Sequence, residues 1–156
     1  MTRGQRVSEA IERSVSGPVW HGPALVDLVE DVAAPDAASH PIAGAHSIWE
    51  LVLHVTAWAE IARQRLNSTS PVEATPEEDW PAVGETSADA WRTAIERLKD
   101  AHRALAAETA ALDDARLISR VPGRDHAVIV MLHGIMEHDA YHGGQIAILK
   151  RALAER

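Results

Sequence analysis

From Ala127 to the C-terminus, apolar residues recur at helical spacing. Val128, Met131, Leu132, Ile135, Ile146, Leu149 and Leu153 fall on one stripe when successive residues are turned by about 100°. A stripe of that length commits the segment to a helix packed against a core. Yet His138, His142 and Gln145 lie on the same stripe, while Glu137 points away from it. Gly143 and Gly144 follow the second histidine, and together they cost about 2 kcal/mol against alanine in a helix interior. A stretch that breaks local rules inside a sound periodic pattern marks a site.

The rest of the chain repeats the helical period. Runs of β-branched residues are short and phenylalanine is absent. Residues 3–15 and 23–32 read as a helical pair interrupted by "GPVWHGP", with Pro23 suited to a first helical turn. The loop "APDAASHPIAGAH" follows. Ser47 and Glu50 form an S-x-x-E capping pattern ahead of an apolar-periodic run to about residue 67. Residues 68–86, rich in acids and prolines, read as a surface connection. "TSAD" opens a helix over roughly 87–111, with Trp91, Leu98 and Leu105 at helical spacing, and residues 112–126 leave room for one short turn. Three long amphipathic helices and a broken first one predict an all-α chain, an antiparallel four-helix bundle spanning residues 1–156 as a single domain.

Composition narrows the function. The 156 residues carry a formal charge of −8 and show no basic cluster, so nucleic acid is not an expected partner. No run approaches the ~18 apolar residues of a membrane span, and the start "MTRGQRVSEAIERSVSG" lacks the apolar stretch of a signal peptide. The expectation is a cytoplasmic protein without a membrane partner. Cysteine is absent, which removes disulfides, thiolate ligands and a cysteine nucleophile.

On the second long helix the stripe is Leu51, Ala57, Trp58 and Ile61, with His54 at its centre and Glu50 one turn earlier. Three imidazoles from two helices would meet inside the bundle if those helices are neighbours. A divalent ion is the economical reason: rings at i and i+4 reach one ion from successive turns, and a third completes a face. Three neutral ligands leave a coordination position open, which suits chemistry better than structure. The bland reading is a histidine pair on a solvated face. His102, inward on the third helix, reads as a hydrogen-bonded core residue, while His46 serves local structure and His133 lies off the ligand face. Glu50 either orients His54, acts as a base, or only completes the cap. Asp139 faces inward and needs a partner, either a histidine or a backbone amide. Gln145 either bonds a ring nitrogen or a ligand, or ties two helices. Tyr141, at the stripe's edge, packs or supplies a proton. The two glycines would let a neighbouring helix or a ligand approach the backbone.

The segments "GPVWHGPAL", "HSIWELVLHVTAW" and "GIMEHDAYHGGQIAILK", in that order, resemble the DinB-like (DinB/YfiT) superfamily of four-helix-bundle metalloproteins. The resemblance runs from the "WHG" segment to the C-terminus. It implies a divalent ion held by three histidines, which by position are His54, His138 and His142. Zn or Ni is the family's usual ion, with Fe, Mn and Cu left open. It also implies that Trp20 and His21 approach the metal-side cleft and line the pocket, and that the chain forms a homodimer. Some relatives are transferases or isomerases using a low-molecular-weight thiol such as mycothiol, bacillithiol or glutathione. Others are regarded as metal-dependent hydrolases. The expected function is therefore a metal-dependent enzyme acting on a small molecule with such a thiol. A hydrolase using metal-bound water and a non-catalytic metal-binding module are the alternatives.

Overall fold

Three of the four long helices start where a side chain satisfies their first free N–H groups. In the computed structural model, which describes residues 1–155, Thr2 and Gln5 exchange reciprocal bonds at the start of α1 (Arg3–Ser16). Ser47 and Glu50 do the same for α4 (Ile48–Asn67), with Ser47 N donating to Glu50 Oε2 at 2.6 Å and Glu50 N to Ser47 Oγ at 3.1 Å. Ser87 caps α6 (Ala88–Ala110). The last long helix, α8 (Val128–Ala154), has no side-chain cap, and its first amide instead donates to the Ser119 carbonyl at 2.9 Å.

Between these lie four short helices: α2 (Leu25–Val29), α3 (Ala34–Ala38), α5 (Pro76–Asp79) and α7 (Asp114–Ile118). Three of them refine the sequence reading. The second half of the broken first helix is little more than one turn. The loop after it contains α3, whose Pro35 sits in the first turn. The connection 68–86 is not purely a surface link: it contains α5 and carries side chains inward. Its helix start was written in the sequence as T-P-E-E, since Thr75 and Glu78 form a capping box with proline at the first helical position.

The four long helices enclose the core as α1–α6–α4–α8, each packed on the next and α8 closing on α1. Chain direction follows from the pairs that touch. Trp49 meets Trp91, Glu60 binds Arg97 and Arg63 binds Glu108, so α4 and α6 run parallel. Gly4 lies against Thr109 and Val15 near His102, so α1 and α6 run antiparallel. His54 meets His138 while Ala62 lies near Met131, so α4 and α8 are also antiparallel. The parallel α4/α6 pair requires the connection 68–86 to travel back along the bundle, which explains its length.

The hydrophobic core has two halves. One gathers Val15, Leu28, Val52, Trp49, Trp91, Leu98 and Ile146. The other gathers Ile11, Ala59, Leu105, Leu117, Val128, Leu132 and Ile135. Between them sits a buried polar network from three of the long helices, Ser14 of α1, His102 of α6 and Asp139 of α8, and Thr56 of α4 is buried as well. Thr56 turns back to the Val52 carbonyl at 2.7 Å. Asp139 accepts from Ser14 Oγ at 2.6 Å and from His102 Nε2 at 3.2 Å, while His102 Nδ1 donates to the Leu98 carbonyl at 2.9 Å. Both ring nitrogens of His102 therefore face acceptors. Burial alone would lower its pKa, but the Asp139 carboxylate outweighs that and the net shift is upward.

Removing one member of a buried pair leaves the other uncompensated. Asp139→Ala should lower stability by about 3 kcal/mol or more, and Ser14→Ala by about 1 kcal/mol. Urea denaturation of the purified variants measures both. Equal effects would show that the layer is not held by its charge.

Candidate metal centre

His54 stands two turns into α4, and His138 and His142 lie one turn apart on the facing stretch of α8. Their Nε2 atoms converge. His138 Nε2 is 3.0 Å from His54 Nε2 and 3.0 Å from His142 Nε2, and the three ligand atoms all lie within 4.8 Å of one another. The outer edges of two rings decide what those atoms are. His54 Nδ1 donates to the Asp79 backbone carbonyl at 2.6 Å, and His142 Nδ1 to Gln145 Oε1 at 2.9 Å. Oxygens of that kind only accept, so both rings carry their proton on Nδ1 and present a bare lone pair at Nε2. Each faces His138 Nε2 at 3.0 Å, where a proton on His138 can serve one of the two lone pairs and a cation can serve both.

The residues fit a divalent ion. Nitrogens about 2.0–2.1 Å from one ion are separated by about 3.0 Å at a right angle and about 3.4 Å in a tetrahedron, matching the spacing here. The rings are also neutral at pH 7. Burial depresses the pKa of all three, and for His138 the neighbouring His142 and His54 help to bring it to about 4. His138 Nδ1 is buried and has no partner among the described residues.

Around the rings the connection 68–86 forms a wall. Trp80 stacks on His54 with centroids 3.8 Å apart, and on its other side His46 stacks at 3.7 Å. Asp79 Oδ1 accepts from Trp58 Nε1 at 2.7 Å and lies 3.3 Å from His54 Nδ1. Asp79 and Trp80 were missed from the sequence because they sit in an acidic, proline-rich stretch. The available signal was a tryptophan beside a capping box. Beyond His54 and His138 a cavity of about 360 Å³ opens, lined mainly by Trp58, Ala62, Arg65, Met131, Gly134 and Ile135.

The other sequence candidates are placed as follows. Gln145 bonds a ligand ring. Glu50 stays with its cap and with His40 and His46, and has no bond to His54. Asp139 orients a histidine, but that histidine is His102. Tyr141 is exposed and meets His142 only edge-on, with ring centroids 5.0 Å apart. Trp20 and His21 do not line this cavity. They are exposed and border a different hollow with His133, Met136 and Glu137, because the segment after α1 turns to the α1/α8 face. Gly143 faces Leu25 and Leu28 of α2, yet an added Cβ would meet them only at 3.5 and 3.6 Å, and Gly144 faces open space. Close approach therefore does not require either glycine.

Against known proteins, a family model described as the DinB superfamily matches residues 19–146. No curated protein and no solved structure matches the chain.

Single replacement of His54, His138 or His142 by alanine should bring metal content near zero by elemental analysis, whereas His102→Ala and His133→Ala should retain it. Gln145→Ala should weaken metal affinity by about tenfold, the usual cost of losing an outer partner. The metal-free protein should also be acid-sensitive. The folded rings have pKa values below the 6.5 they regain on unfolding, so the unfolded chain binds more protons. Stability is full above pH 6.5 and falls as pH drops toward 4; urea midpoints at pH 7 and pH 5 should differ accordingly, and equal midpoints would contradict the neutral-ring assignment.

Proposed function

The chain belongs to the DinB superfamily, and on that premise we propose that it is a divalent-metal-dependent enzyme that transfers a low-molecular-weight thiol to a small electrophilic substrate. The observation that carries the reading is the convergence of the Nε2 atoms of His54, His138 and His142 beside a cavity open to a ligand. A divalent ion held there supplies Lewis acidity, which brings the ionisation of a coordinated thiol or water toward neutral pH. The chain has no cysteine, so the sulfur must belong to a cosubstrate.

The residues around the rings have separable tasks. The Asp79 carbonyl and Gln145 hold two rings in the tautomer that turns Nε2 inward. Trp80 covers the outer face of His54 and limits water there. Trp58, Met131 and Ile135 give the cavity an apolar wall that accepts carbon-rich substrates. One observation favours hydrolysis as the second reading: the Asp79 carboxylate borders the same cavity and only its Oδ1 is bonded, so Oδ2 is free to take a proton.

Metal-loaded protein, purified without an affinity tag, should conjugate monochlorobimane to mycothiol, bacillithiol or glutathione, and chelation should abolish the turnover. Parallel panels of esters and amides test the second reading. Turnover with none of the thiols would remove the transferase, and turnover of neither class would leave a metal-holding module.

A further inference from the structure

We propose that Arg65 makes the end of the cavity away from the histidines an anion subsite, so that the substrate is a small, elongated, largely apolar molecule ending in a carboxylate. The inference rests on the reading that this cavity receives the substrate.

Arg65 is 8% exposed, and it lines the cavity that begins at His54 and His138. Its contacts leave most of its donors unused. Nε donates to the Val72 carbonyl at 3.2 Å, and the guanidinium lies over the Trp58 ring, 5.4 Å from its centroid. Neither Nη has a bonding partner among the described residues, although a guanidinium offers five N–H groups in a fork that matches a carboxylate. No carboxylate among the described residues pairs with it. The acid whose field reaches it, Glu73, is bound by Arg124 at 2.5 Å, and the Asp79 carboxylate of the same cavity accepts from Trp58. Its neighbours in sequence differ: Arg63 binds Glu108, and Glu60 holds Arg97. A largely buried cation without a counter-ion is costly; the unpaired Nη groups keep some contact with solvent, which an incoming anion would replace.

The placement sets the ligand's shape. Eleven residues separate His54 from Arg65, about 16 Å along the helix axis. Side chains lean toward the helix N-terminus, and the Arg65 head reaches Trp58, whose ring is 6.0 Å from that of His138. Apolar residues lie between the two ends. Gly134 borders the same space, and a Cβ built there meets nothing within 4 Å. On a chain of net charge −8, a local cation also counters the general repulsion of an anionic substrate.

Phenylacetate, 3-phenylpropanoate and 4-phenylbutanoate, each beside its primary amide, test the assignment by calorimetry on metal-free and metal-loaded protein. The metal-free wild type should bind at least one acid tenfold or more tighter than its amide. Arg65→Gln should abolish that preference while leaving metal content unchanged. Gly134→Leu should weaken acid and amide alike. Should Arg65→Gln fail to fold, judged by circular dichroism, the metal-free wild-type preference decides alone. A preference that appears only with metal bound would belong to the ion and overturn the subsite, as would no preference or no binding of any acid. Failure of the metal reading shows separately, as absence of metal from untagged protein.

Discussion

Two imidazole nitrogens stripped of their protons face a third, His138 Nε2, across 3.0 Å, an arrangement that calls for a proton or a cation among them. The rest of this structure serves that condition. The Asp79 carbonyl and Gln145 fix the protons on the outer edges of His54 and His142. Burial keeps the rings neutral, so that each offers a lone pair instead of a charge. The i, i+4 spacing on α8 and the antiparallel seam with α4 bring the three together. Loss of either outer oxygen would free a ring to exchange tautomers, and the converging lone pairs would no longer be enforced.

The same level of the bundle carries a second polar group with a different purpose. Asp139 follows His138 directly in sequence, but the helical turn sends it to the other side of α8, into the layer with Ser14 and His102. That layer divides the core into two apolar halves. Ser14, His102 and Asp139 satisfy one another, and this separates them physically from the neighbouring triad. A polar network joining α1, α6 and α8 sets their relative register, because a shift of one turn would bury Asp139 against hydrocarbon. Register matters here because the imidazoles on α4 and α8 must stay level.

The connection between α4 and α6 links fold and site. Since α6 runs parallel to α4, the chain must return along the bundle. It does so beside α4, where Arg65 meets Val72, Trp58 meets Asp79 and His54 meets Trp80. A topological necessity thereby supplies one wall of the cavity and the acceptor that orients His54. The cavity is bordered by a guanidinium at one side and, at the other, by neutral imidazoles and the Asp79 carboxylate.

Much of this was legible from local chemistry. Capping patterns at Ser47 and before α6, the apolar stripes, and the inward positions of His54, His138 and His142 follow from a 3.6-residue period that each helix obeys on its own. The absence of cysteine follows from composition. Other features depended on which helix faces meet. Periodicity states the side on which a histidine lies, but not which helix that side touches, so the pairing of α4 with α8 was decided by packing. Asp79, Trp80 and Arg65 entered the site, and Trp20 and His21 fell outside it, because the paths of irregular segments are set by long-range contacts. Sequence alone determined that three histidines point inward; only the tertiary structure decided that they point at one another, because side-chain direction is a local property and convergence is not.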